Sequence, residues 1–270
     1  YTVPLRADSN GTASDYFSKG QMFYTGNGVP KDYASAIVWF TLAANQGYAP
    51  GQYNLGLMKW KGQGNPQDLD GSIYWLKRAA NQGHSKAQST LGEIYYYGEA
   101  YKRNVNESIK WLNQAANQDD QDAQNLLGYI CEIGDGVTQD YGRAASLYKR
   151  AADQGQLKAQ FSLAQMYYRG LGVVKNVTEA IKYYEMAAEQ GHANAAFTLG
   201  NIFERGKVVP KNEETALKWL ALAAELNDAV AQFKLGRMYY NGDGVSKDID
   251  LAIEWFNSSA EQGHIEAANI

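Results

Sequence analysis

The 270-residue chain contains a single cysteine, Cys131, which rules out a disulfide within the chain and leaves its redox compartment open. Histidine is almost as scarce: there are only His84, His192 and His264, each separated from the next by dozens of residues. A metal centre needs ligands that converge within a few ångström, so this spacing argues against one. No apolar run approaches the roughly 18 residues a membrane-spanning helix requires. Basic residues never gather into a stripe. The formal net charge is −4, with −2 in each of the halves 1–135 and 136–270, so the electrostatic footprint of a nucleic-acid-binding protein is missing. Apolar residues at 45% and charged residues at 20% are ordinary for a folded soluble protein.

Glycine, by contrast, keeps a beat. Gly20, Gly56, Gly92, Gly128, Gly200 and Gly236 recur at multiples of 36 residues, and Ala164 fills the one missing place. Small pairs follow the same register: Ala43-Ala44, Ala79-Ala80, Ala115-Ala116, Ala151-Ala152, Ala187-Ala188, Ala223-Ala224 and Ser259-Ala260. A fixed period of this length is the signature of a solenoid, in which each repeat buries its apolar face only against its neighbours. Such an array is first of all a surface, and its common use is to hold another macromolecule.

Each copy reads as two helices. In the copy around Gly200, the first helix (helix A) places Ala195, Leu199 and Phe203 or Ile202 on one face at helical spacing. The glycine shares that face. Since glycine inside a helix costs about 1 kcal/mol relative to alanine, its recurrence predicts close approach of the second helix (helix B) of the same copy. Helix A is expected to stop at a second, unbroken glycine: Gly26, Gly62, Gly98, Gly134, Gly170, Gly206 and Gly242. Another glycine follows two residues later in five copies, at Gly28, Gly64, Gly136, Gly172 and Gly244. An Asp or Asn then starts helix B as its N-cap, at Asp32, Asp68, Asn104, Asp140, Asn176, Asn212 and Asp248. Helix B ends near Gly47, Gly83, Gly155, Gly191 and Gly263, with Asp119 and Asn227 as the exceptions.

The ends depart from the pattern. Residues 1–14 lack the repeat and read as an extended or mobile leader. Residues 15–266 hold the seven repeats, and Ala267 to Ile270 read as the opening of a further helix A, cut short. The first copy carries Lys19 where later copies have leucine, as suits a terminal repeat with one face exposed. The chain opens at Tyr1 rather than at a methionine, which reads as a removed signal peptide or a trimmed end.

Stretches such as Ala231-Gln232-Phe233-Lys234-Leu235-Gly236-Arg237-Met238-Tyr239-Tyr240-Asn241-Gly242-Asp243-Gly244-Val245, followed by Ala252-Ile253-Glu254-Trp255-Phe256 and Ala260-Glu261-Gln262-Gly263-His264, resemble the Sel-one-like repeat, a relative of the tetratricopeptide repeat. The resemblance covers about residues 15–270. It implies an all-α fold: a right-handed α/α superhelical solenoid of seven 36-residue helix–turn–helix repeats. It also implies an adaptor, because members of this family bind unrelated proteins in bacterial envelopes, host–pathogen contacts and eukaryotic degradation complexes. One secreted branch, linked to β-lactam binding or hydrolysis, staples each repeat with a cysteine pair; one cysteine in seven repeats sets this chain apart from it.

No motif announces chemistry. Cys131 stands where most other copies have Tyr or Phe and has no histidine in its own repeat to act as a base, so it reads as a small core residue. Segments such as Gly170-Leu171-Gly172 follow a helix rather than a strand and lack the Lys-Ser/Thr ending of a phosphate loop, so they read as turns. The Asn-x-Ser/Thr triplets at Asn10, Asn106, Asn176 and Asn257 would matter only in a secreted eukaryotic protein. No cofactor and no metal are expected.

The functional signal lies on helix A. By analogy with tetratricopeptide arrays, the positions three before, one after and four after the recurring glycine should line a concave groove. They are rich in aromatic residues, and aromatic residues and arginine are what protein-binding hot spots favour. Candidate contacts are Tyr24, Tyr53, Leu57, Trp60, Glu93, Tyr96, Tyr129, Glu132, Tyr168, Arg169, Arg205, Arg237 and Tyr240. The Phe residues at the first of these positions are assigned mostly to packing. The expected partner is another protein or a peptide segment, with no nucleic acid and no membrane span. The chain itself is expected to be a monomer, exported to the periplasm or beyond. An immunity protein that neutralises a secreted antibacterial effector is the alternative within this class. A β-lactam or cell-wall hydrolase is the alternative of another class.

Overall fold

The structure, a computed structural model, describes residues 11–98 and 101–267. Among them it contains fourteen α-helices of 13 residues each and no strand. The helices A are α1 (Ala13–Thr25), α3 (Ala49–Lys61), α5 (Ser85–Tyr97), α7 (Gln121–Ile133), α9 (Leu157–Arg169), α11 (Ala193–Arg205) and α13 (Ala229–Asn241). The helices B are α2 (Tyr33–Asn45), α4 (Leu69–Asn81), α6 (Val105–Asn117), α8 (Tyr141–Asp153), α10 (Val177–Glu189), α12 (Glu213–Glu225) and α14 (Ile249–Glu261). The chain is thus an all-α array of seven helix–turn–helix repeats. It falls into two units that divide between Thr138 and Gln139, so that α1–α7 belong to the first and α8–α14 to the second.

Capping explains most of the helix boundaries; α3, which follows Tyr48 with Pro50 in its first turn, is the one helix that starts without a side-chain cap. All seven expected Asp and Asn residues cap helix B. In each, the side chain accepts from a backbone N–H two or three residues on, as Asn212 does from Thr215 at 3.0 Å. Each helix A ends on its expected glycine in the left-handed conformation. Asp119 and Asn227 adopt the same conformation at the end of helix B, with φ of 60° and 64°; both are residue types that tolerate it better than most. The first helix begins earlier than expected. Thr12 caps α1 in a reciprocal capping box with Asp15, so the helix already includes Ala13 and Ser14. The remainder of the expected leader, residues 1–10, and residues 268–270 of the expected truncated helix lie outside the described residues; Ala267 is buried.

Within each unit the core consists of helix A packed on helix B, then helix B on the helix A that follows. The alanines of the small pairs are buried from Ala43-Ala44 through Ala223-Ala224. Leu55, Leu76, Leu91, Leu112, Leu163, Leu199 and Leu220 are at most 1% exposed, and each such leucine contributes roughly 1.5–3 kcal/mol by leaving water. The recurring glycine meets helix B of its own copy, as its cost in a helix implied. A Cβ added at Gly56 would lie 2.8 Å from Leu76 Cγ, and one at Gly200 would lie 2.6 Å from Leu220 Cγ. Cys131 is 1% exposed, in keeping with its reading as a core residue.

A polar device that the sequence reading missed also runs through the core. The helix A glutamines Gln52, Gln88, Gln160 and Gln232 are buried, and each donates through Nε2 to a carbonyl of the preceding helix B: Ala44, Ala80, Ala152 and Ala224 respectively, at 3.0 to 3.4 Å. Each also accepts, through Oε1, from a glutamine thirty residues later: Gln82, Gln118, Gln190 and Gln262, at 2.7 to 2.8 Å. In the sixth repeat the two positions hold Ala196 and Leu226, so both partners of the amide pair are absent together.

Candidate partner-binding site

The first position of the helix A stripe is held from both sides. Tyr53 stacks on His84 with centroids 4.8 Å apart, Phe161 on His192 at 4.3 Å and Phe233 on His264 at 4.6 Å. Phe17 meets Tyr48, the equivalent residue, edge-on at 5.3 Å. Each of the three histidines is also the N-cap of the next stretch: Nδ1 accepts from the N–H of Ala87, Ala195 or Ala267 at 3.2 to 3.3 Å. Burial holds the His84 and His192 imidazoles below their ordinary value. These three histidines thus both stack on the stripe and cap the residues that follow. Among the described residues no cluster of His, Cys, Asp or Glu could hold a metal ion, and no helix is long and apolar enough to cross a membrane.

Phe197 breaks this pattern. Its counterpart to the stacking histidine is Asp228, and no aromatic ring among the described residues covers it. Instead it lines two clefts of the second unit. One, of about 320 Å³, is formed by α9, α10, α11 and the residues after α11, with Tyr168, Arg169, Tyr184, Phe197, Arg205 and Lys207 among its walls. The other, of about 430 Å³, lies between α11 and α13 and includes Phe197, Asn201, Glu204, Arg205, Lys234, Arg237 and His264. The structure therefore brings Tyr168, Arg169, Arg205 and Arg237 to one shared neighbourhood. Lys234 is committed there: it reaches Asn201 at 2.6 Å and pairs with Glu204. Arg169, Arg205 and Arg237 are exposed and make no hydrogen bond or ion pair with a described residue. Tyr240, further along α13, is 51% exposed, with the Lys247 ammonium 5.3 Å from its ring centre.

The first unit uses the same positions differently. Tyr24 is half-buried against Tyr33 and Phe40, and Tyr53 is half-buried, with its phenol raised by burial. Trp60 packs against the cluster that includes Leu76 and Leu91, and Leu57 is half-buried. Tyr96 departs from the expectation of a contact residue, being only 7% exposed. The Arg103 guanidinium lies 5.3 Å from its ring centre, Nε donates to the Tyr96 carbonyl at 2.9 Å, and Arg103 pairs with Asp135. Burial, then the bond to Asp135, pushes the Tyr96 phenol up to about 12. Tyr129 stands edge-on to Tyr96 at 6.4 Å and is 44% exposed. Glu93 is exposed and Glu132 half-buried, and neither is without a partner.

A Sel1 repeat model matches seven consecutive segments, at residues 20–48, 49–84, 85–120, 121–156, 157–192, 193–228 and 229–264. The chain belongs to the Sel1 repeat family. Among solved structures, a Sel1 chain similar to this one is c5321, a protective antigen present in uropathogenic Escherichia coli strains and displaying an SLR fold. It is 35% identical over 94% of this chain, with a TM-score of 0.84. This chain spans 55% of the antigen's length. A Sel1 repeat protein from Oxalobacter formigenes is 31% identical over 95% of this chain and 74% of its own, with a TM-score of 0.82. A comparison with curated proteins finds no match.

Proposed function

We propose that this Sel1 repeat protein is a non-enzymatic scaffold that holds a segment or small domain of another protein against the exposed stripe of its helices A. The observation that carries the reading is the contrast within that stripe. Phe17, Phe161 and Phe233 are covered by aromatic or histidine rings, whereas Phe197 opens onto clefts beside three arginines that have no internal partner. Uncovered aromatic surface next to unpaired arginine is the composition of a binding hot spot, and the fold itself does not need those arginines. Sel1 repeats generally serve as protein-interaction scaffolds, which supports the same class. Placement in the periplasm or outside the cell is part of the proposal; its support is that the similar E. coli protein is a protective antigen.

Site-specific photo-crosslinking tests it. Benzoylphenylalanine is placed at Tyr129, at Tyr240 or, as a control on helix B, at the 53% exposed Tyr74. Irradiation in cells of the source organism is expected to give one discrete adduct from the two helix A positions and none from Tyr74. Adducts from Tyr74 alone, or equal adducts from all three, would overturn the assignment of the face.

A further inference from the structure

The cleft walled by α9, α10 and α11 has a composition unlike the rest of this acidic chain. Arg169, Arg205 and Lys207 line it, and no carboxylate does. None of these three cations has an ion pair among the described residues. Its apolar wall is Phe197 with Tyr168, and Tyr184 contributes a second kind of group. Tyr184 is 3% exposed and makes no hydrogen bond to a described residue, and its hydroxyl oxygen keeps access to the cleft, so the phenol O–H is a donor without an internal acceptor. Open to the cleft, this donor can exchange water for an acceptor that a guest brings in. Burial also pushes the Tyr184 phenol up, so it stays a donor at neutral pH. A volume of about 320 Å³ is at the lower end for a ligand pocket and suits one or two side chains rather than a cofactor.

Resting on the scaffold reading above, we propose that this cleft anchors the partner through an acidic residue next to an aromatic one. The carboxylate takes the Arg169 and Arg205 guanidinium groups and the Tyr184 hydroxyl, and the neighbouring ring packs on Phe197. Planar guanidinium donors match a carboxylate in both charge and geometry. Arg205 also borders the cleft between α11 and α13, so the anchored segment has a continuous path toward Arg237.

The test is fluorescence anisotropy with a labelled decapeptide that carries two glutamate–phenylalanine pairs in a glycine–serine background. Two control peptides replace both glutamates by glutamine or by lysine. The glutamate peptide is expected to bind at least tenfold more tightly than either control, and R169E/R205E, or the milder R169Q/R205Q, is expected to abolish that preference. K182E/K218E, on the exposed face of α10 and α12, should bind as wild type does. Y184F should weaken the glutamate peptide roughly threefold to tenfold, the worth of one hydrogen bond, without changing Tm. Equal binding of the glutamate and glutamine peptides, no binding of any peptide, or displacement by an equal concentration of inorganic phosphate would overturn the proposal. The crosslinking at Tyr129 and Tyr240 is read separately. If discrete adducts persist while acid selectivity is absent, the scaffold reading stands and only the acidic anchor falls.

Discussion

His192 lies on Phe161 with ring planes 20° apart and, through the same imidazole, caps the helix that follows, with Nδ1 accepting from the Ala195 N–H at 3.2 Å. One side chain therefore closes the stripe of one repeat and starts the next, and it can do so only while Nδ1 is unprotonated. The imidazole is held below its ordinary value in the folded chain, as is that of His84. In the unfolded chain it returns to about 6.5. The unfolded state thus binds more protons in the acidic range. Stability is complete above that value and falls as pH drops through it. Thermal unfolding from pH 8 to pH 5 should show this decline, and H84N/H192N, which keeps the caps without a titrating ring, should flatten it. An unchanged slope would show that the histidines do not carry the effect.

The recurring glycine predicts a sharp steric limit. In an open helix Gly→Ala would gain about 1 kcal/mol, yet at Gly200 the new methyl would sit 2.6 Å from Leu220 and 3.3 Å from the Ala216 carbonyl. Overpacking of this kind costs about 1–3 kcal/mol, so G200A should be net destabilised in urea titrations despite its better propensity. A stabilised G200A would mean that α12 can withdraw freely.

The glutamine pairs predict strong coupling. Q88A would remove the donor to the Ala80 carbonyl and the acceptor of Gln118, leaving polar groups unpaired in a buried place, at a cost of about 1–3 kcal/mol. The sixth repeat supplies the alternative solution, Ala196 with Leu226. Q88A/Q118L should therefore recover part of the loss, and a double-mutant cycle should return a coupling of at least about 0.5 kcal/mol. Simple additivity would show that the two amides act independently.

The arginines of the two units should behave in opposite ways. Arg205 has no internal partner, so R205A should leave stability within about 0.5 kcal/mol. Arg103 closes over Tyr96 and pairs with Asp135, so R103A should cost about 1 kcal/mol and expose the Tyr96 ring to quenchers. Equal losses from both would remove the distinction between a structural and an available arginine.

The repeat, the starts of the helices B and the ends of the helices A were legible because each rests on local chemistry: Asn212 can cap and Gly206 can turn left-handed wherever they occur in this phase. The packing of Gly200 on Leu220 was legible too, since a costly residue repeated in phase needs a close neighbour. Tyr96 and Trp60 occupy the same stripe position, yet Tyr96 is closed over by Arg103 and Asp135, residues that follow α5 and α7 and that no helix A pattern includes. The histidine caps were not legible in the same way, because histidine is not an ordinary N-cap residue and accepts here only through an unprotonated Nδ1. The signal was present: His84, His192 and His264 each stand 31 residues after an aromatic stripe residue, and Asp228 stands in that relation to Phe197.

Ala196 has a consequence for motion. Elsewhere a side-chain amide bolts helix A to the helix B before it, as Gln160 does to Ala152 and Gln232 to Ala224. At the α10/α11 seam the methyl of Ala196 leaves only apolar contact and main-chain fit, and this is the seam that carries the cleft of Tyr184 and Phe197. In a linear array each junction has its own strength, and the weakest is where fluctuations concentrate. The α10/α11 seam lacks the amide latch of its neighbours at the place where a guest would have to enter, so the cleft can widen without breaking a hydrogen bond of that kind.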